Sequence, residues 1–187
     1  MSKKICNVIL IILIIAFIIV MSIIITKRIK HQIKEKELVY VVNNMKEDKA
    51  KIETKYKGYN VVGIIKISKI NIEYPIIEKT DNETMKCSIT KFWGNNVNDI
   101  GNFVMAGHNY FDGTMFSNTN KLIVGDTIEM TDLNGNTIEY KVFYKDIIDP
   151  NDLECVKSVE ENTREITLIT CINGRKNRLI IKARESI

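Results

Sequence analysis

The sequence predicts a mostly β fold, a small closed or nearly closed barrel, standing behind an N-terminal membrane helix. Three observations predict it. Residues 5–26 form 22 positions without a charged side chain. After Gly58, apolar residues recur at strand spacing in many short runs with little helix between them. A Leu-Asn-Gly-Asn turn at 133–136 separates two alternating runs, a strong short-range hairpin signal. The 187 residues suffice for one membrane segment and one domain able to bury a core.

Residues 1–4 read as a short cytoplasmic tail and 5–26 as the transmembrane anchor. A helix of that length spans about 33 Å, enough for the hydrocarbon core. A cleaved signal peptide would have a shorter apolar core and small residues at its cleavage site. Residues 22–27 offer no such pattern, so the segment reads as an uncleaved signal anchor. Residues 27–57 read as a membrane-proximal helical stalk, because Leu38, Val42, Met45, Ile52 and Tyr56 recur at helical spacing. Residues 58–187 are the barrel domain. Its expected strands are 61–67, 72–78 with Pro75 at an edge or bulge, 102–106, 127–131, 137–142 running on to 148, 165–170 and 179–183.

Charge divides at the same boundary. Residues 1–57 carry 12 basic and 5 acidic side chains, and residues 58–187 carry 15 and 18. The net +4 therefore belongs to the membrane-proximal part, where it suits a lipid surface. A mildly acidic domain argues against nucleic acid as its ligand. A bare positive-inside count of the flanking lysines and arginines would place the C-terminal flank in the cytoplasm. Of the cysteines, Cys6 lies in the apolar segment, and Cys87, Cys155 and Cys171 are an odd number. Free thiols are expected, with a Cys87–Cys155 bridge as the alternative. No Cys/His spacing suggests zinc or an iron–sulfur cluster, and no cofactor is expected. Asp81, Glu83, Asp149, Asp152 and Glu154 form no defensible calcium loop and read as solvated loop residues.

Two residues stand out chemically. His108, the domain's single histidine, follows an apolar strand in GNFVMAGHN at 101–109. Cys171 ends another in TLITC at 167–171. Either alone is more often structural than catalytic. Together, each at a point where an apolar strand gives way to a polar loop, they form a candidate nucleophile and acid–base pair. A thiol near pKa about 8.5 is mostly protonated at neutral pH, and an imidazole can take or return its proton. Attack on a carbonyl creates an oxyanion that needs positive charge or hydrogen-bond donors. Arg178 opens the returning strand and is the candidate for that role. Arg175 lies in the intervening loop and reads as solvated.

These motifs resemble those of the sortases, cell-wall transpeptidases of Gram-positive bacteria. The resemblance rests on TLITC, on Gly107-His108-Asn109 and on Arg178-Leu-Ile-Ile. It extends over about residues 60–184, including Gly125-Asp-Thr-Ile before the hairpin. It implies an eight-stranded barrel and attack by Cys171 on the Thr–Gly bond of an LPxTG-like sorting signal. The acyl group would pass to an amine of a peptidoglycan precursor or a pilin. It implies His108 as acid–base partner and Arg178 as oxyanion stabiliser, with Thr170 a candidate supporting substrate contact. Its partners would be surface proteins bearing a C-terminal sorting signal. It also implies a cytoplasmic N-terminus and an extracellular domain, against the bare charge count.

Subclass features are mixed. Asp112-Gly-Thr-Met-Phe after the histidine resembles class B, whereas the short stretch before the cysteine strand resembles class A, D or E. No lid-like Asp-Pro-aromatic motif precedes the barrel, which argues against class C. Two rivals remain at this point. An extracytoplasmic cysteine peptidase of the papain or NlpC/P60 type would place cysteine before histidine, the reverse of the order here. A non-catalytic, membrane-tethered binding barrel would need no reactivity at Cys171.

Overall fold

The computed structural model describes residues 3–47, 55–157 and 161–186. The chain divides into two compact units, residues 1–40 and 41–187. The first is dominated by a single helix, α1 (Lys3–Glu47). Its stretch Ile9–Lys30 is long and apolar enough to cross a membrane, and none of that stretch is buried. The segments expected as anchor and stalk run on as one helix as far as Glu47. The stalk expected as far as residue 57 does not stay helical to its end. Residues 48–54 lie outside the described residues, and β1 (Lys55–Tyr56) pairs with the next strand. Lys57 and Gly58, both at positive φ, make the two-residue turn between them. Tyr56 is 2% exposed, so its place in the apolar pattern reflects burial in the domain rather than a helical face.

The rest of the sheet is built from β2 (Tyr59–Ile67), β3 (Ile72–Ile77), β4 (Ile89–Trp93), β5 (Gly101–Ala106), β6 (Thr127–Asp132), β7 (Thr137–Ile148), β8 (Arg164–Ile172) and β9 (Asn177–Glu185). The order is β2-β3-β4-β5-β8-β9-β7-β6, and β6 pairs back onto β2. Eight strands therefore close a ring, with β1 added outside it. Every expected strand is present. Closure leaves no long unpaired edge in the ring.

Alternation fills the interior. Ile65, Ile76, Met105, Ile128, Leu168 and Ile181 are at most 2% exposed, and Phe116 and Leu122 enter from the β5–β6 connection. Burying each such side chain stabilises the fold by about 1.5–3 kcal/mol. β5 and β8 are parallel neighbours buried on both faces, which explains their near-continuous apolar runs. Toward one end of the outer face of β5, β8 and β9 lie four buried polar residues, Asn102, Glu165, Thr167 and Lys182. They are covered because the β7–β8 connection lies on them. The Asn102 side-chain amide donates to the carbonyls of Cys155, Val156 and Lys157 at 3.0–3.3 Å. The Lys182 ammonium donates to the Lys157 carbonyl at 2.8 Å.

Gly63 marks the seam where the ring closes. It sits at a β-bulge of β2 and faces Asp132 of β6. A Cβ there would lie 2.7 Å from the Thr131 carbonyl oxygen and 2.8 Å from Val97 Cγ2. Gly63→Ala is expected to destabilise the domain by about 1–3 kcal/mol through overpacking. A lower denaturation midpoint of the full chain in detergent, with an unchanged circular dichroism spectrum, is the result that checks it.

Candidate active site

β5, β8 and β9 bring the candidate residues together by register. Ala106 pairs with Ile169, and Ile169 pairs with Ile180. One residue further, the Gly107 amide donates to the Ile169 carbonyl at 3.1 Å, so β5 stays beside β8 up to His108. Cys171 pairs directly with Arg178. Paired residues share a face of the sheet, and successive residues alternate. Cys171 and Arg178 therefore share one level of the outer face on β8 and β9, and His108 follows two residues after the last paired residue of β5, where continued alternation assigns it to the same face. Ala106, Ile169 and Ile180 form an apolar row beneath them.

Each side chain has an identifiable support. Gly107 is required before His108 because a Cβ there would meet the Phe116 ring at 2.6 Å. The His108 carbonyl accepts from the Phe116 amide at 3.1 Å, which folds the segment after the histidine back on itself. Asp112 shapes that turn by accepting from the Thr114 amide and hydroxyl at 3.0 and 2.6 Å. The Tyr110 ring lies against the imidazole, with centroids 4.9 Å apart and planes inclined at 46°. The Asn109 side-chain amide donates to the Cys171 carbonyl at 3.0 Å. The sequence assigns no role to Tyr110, and to Asn109 only a place in the motif around His108. Their signal was only their position directly after His108.

Thr170 is placed differently from expectation. It pairs with Leu179 on the interior face, is 3% exposed, and donates its hydroxyl to the Gly107 carbonyl at 2.7 Å. It braces the histidine strand against the cysteine strand and does not share the outer face with Cys171.

The β8–β9 connection is four residues long. Asn173, Gly174 and Arg175 all have positive φ, at 51°, 64° and 74°. Three successive left-handed residues, two of them carrying a Cβ, store backbone strain of the kind found at functional turns. The Arg178 guanidinium donates to the carbonyls of Arg175 and Asn177 at 3.2 and 3.3 Å. Both partners are carbonyl oxygens, so these bonds orient the guanidinium without neutralising it. Arg175 is exposed, as expected, yet its charge reaches the histidine. Burial first, then the Arg175 charge, holds the His108 pKa below its usual value and favours the neutral imidazole. The site therefore starts from an imidazole able to accept a proton.

Cys87, Cys155 and Cys171 are all free thiols. Among the described residues no group of three or more His, Cys, Asp or Glu side chains could hold a metal ion. Asp81 instead caps the turn that begins α2 (Thr84–Cys87), accepting from the amides of Glu83 and Thr84 at 3.0 and 2.9 Å. The β3–β4 segment is tied to the sheet where the Thr80 hydroxyl donates to the Lys91 carbonyl and shares a hydrogen bond with the Thr90 hydroxyl, each at 2.7 Å. Trp93 pairs with Val104 beside the same outer face and is 61% exposed.

A model of the sortase domain matches residues 65–186. Sortase A of Listeria monocytogenes is 33% identical over 114 residues, covering 59% of this chain and 49% of that protein. The match thus spans about half the length of that relative. Sortase D of Bacillus subtilis is 27% identical over 139 residues, covering 74% of this chain and 68% of that protein. The structure of a Clostridium perfringens sortase D5 transpeptidase superposes with a TM-score of 0.68 at 26% identity, covering 83% of this chain and 99% of that one.

Removing the Arg175 charge should raise the His108 pKa, while burial keeps it from reaching the ordinary imidazole value. The chain has two histidines, so their titrations in Arg175→Ala and the parent can be followed by NMR. An unmoved His108 titration would mean that burial alone sets the shift.

Proposed function

The chain belongs to the sortase family, and on that premise we propose that it is a membrane-anchored cysteine transpeptidase acting on the C-terminal sorting signals of exported surface proteins. The observation that supports this reading is the direct pairing of Cys171 with Arg178, with His108 following β5 two residues beyond its register with β8.

In the proposed reaction the Cys171 sulfur attacks the Thr carbonyl of an LPxTG-like motif, and its proton passes to His108. The negative charge that develops on the carbonyl oxygen is met by Arg178, oriented through its backbone bonds. Collapse of the tetrahedral intermediate breaks the Thr–Gly bond, and His108 returns the proton to the leaving amine. An acyl-thioester remains on Cys171. An amine of a peptidoglycan precursor or a pilin then attacks it, with His108 accepting the proton, and releases the thiol. Ile169, the part-exposed member of the apolar row, suits the apolar part of the motif, with the 79–100 and 149–163 segments as the candidate groove walls. Residues 1–4 would be cytoplasmic, 5–26 the membrane anchor and the barrel domain extracellular, because the substrates are exported.

The test is incubation of the protein with LPxTG-like and NPxTx-like peptides, with and without an amine acceptor, followed by mass spectrometry. A thioester on Cys171 and an amine-joined product are expected. Cys171→Ala should give neither. Arg178→Ala should lower kcat by about 10²–10³-fold, the usual scale for losing an oxyanion donor. A released acid with no joined product at any acceptor concentration would favour a peptidase instead.

A further inference from the structure

We propose that Asn109 is a positioning residue that holds His108 in reach of Cys171 by taking over a missing rung of the β5–β8 ladder. The inference rests on the assignment of His108 and Cys171 as the reacting pair.

In a parallel ladder, one strand's amides bond to the other's carbonyls at two-residue intervals. The Gly107 amide donates to the Ile169 carbonyl at 3.1 Å. The next such bond would run from the Asn109 amide to the Cys171 carbonyl. At that position the chain is already leaving the sheet, because Asn109 bridges to Met115 and the His108 carbonyl accepts from Phe116. The Asn109 side chain donates to the Cys171 carbonyl instead, at 3.0 Å.

The consequence is geometric. His108 sits at the point of divergence, with a ladder bond on one side and only this side-chain bond on the other. Thr170 braces Gly107 from the interior face. Asn109 closes the outer side, and its acceptor is the carbonyl of the nucleophile's own residue. Without it, β5 could separate from β8 just where the imidazole and thiol must meet. Asn109 is itself exposed, so its replacement removes little packing. A short polar side chain with an N–H is needed. Alanine removes the donor, and aspartate sets an acceptor against an acceptor.

The test compares the full chain in detergent with Asn109→Ala and Asn109→Asp, using His108→Ala as reference. Two readouts are taken. The first is kcat and KM with a peptide that the parent turns over. The second is the pH profile of Cys171 alkylation by iodoacetamide, followed by mass spectrometry, which needs no peptide and so stands if the peptide assignment fails. Both Asn109 variants should melt within a few degrees of the parent. Both should lower kcat by about 10–100-fold, the scale of a small misplacement of reacting groups, with KM changed less than about threefold. Their alkylation profiles should move toward that of His108→Ala. Profiles that overlay the parent would overturn the proposal, whatever happens to turnover. A rise in KM at unchanged kcat would also overturn it and make Asn109 a substrate contact. If Asn109→Ala does not fold, Asn109→Asp carries the same two readouts. If neither variant folds, Asn109 maintains the barrel rather than the His108–Cys171 alignment, and the proposal is overturned.

Discussion

The site depends on the parallel pairing of β5 with β8. These strands are far apart in sequence, and their register from Gly101–Arg164 to Ala106–Ile169 fixes where both chains reach the end of the sheet. A slip of one residue would turn every side chain on one strand to the opposite face. His108 or Cys171 would then point into the core. The register is held by interior packing of Phe103 and Met105 against Ile166 and Leu168, and by a buried polar bond from the Thr167 hydroxyl to Asn102 at 2.8 Å. Apolar interdigitation supplies most of the stabilisation, and the polar bond adds directionality. Chemistry at the rim is thus tied to packing in the interior.

Much of this was legible in the sequence because the relevant signals are local. The Asn-Gly hairpin, the apolar runs ending in His108 and Cys171, and the return of the chain at Arg178 depend on neighbours within about ten residues. What was not legible depends on distant partners. β4, with the sequence Ile-Thr-Lys-Phe-Trp, has only two residues paired to β3 and a bulge against β5, so its apolar spacing is irregular. Thr170 is next to Cys171 in sequence. The pleat places it on the opposite face, where its hydroxyl bonds the Gly107 carbonyl. Tyr56 fitted the helical period of the expected stalk, but it belongs to β1 and is buried in the domain.

The outer face shows a second kind of hidden information. Glu165, Thr167 and Lys182 would ordinarily be assigned to solvent, yet each is under 7% exposed. Their environment comes from the β7–β8 connection lying across them. Burial lowers the Lys182 pKa, while nearby Glu165 opposes that shift. The ammonium bond to Lys157 and the Asn102 bonds to three successive carbonyls give the connection a fixed seat on the sheet. A segment that contributes no regular strand is thereby held at one side of the face that carries the cysteine.

The four-residue turn between Cys171 and Arg178 has a further consequence for how such an enzyme can diversify. With three successive left-handed residues and direct pairing of the strands it joins, this hairpin has no slack. An insertion there would move the arginine relative to the thiol. Under the proposed function, reactivity and selectivity would therefore be housed in separable parts of the chain. Under the proposed assignment the hairpin would keep a constant reaction centre, while the longer β3–β4 and β7–β8 segments would be free to change in length and side-chain character without disturbing it. New substrate preferences can arise by remodelling those borders, leaving the bond-making apparatus inherited intact.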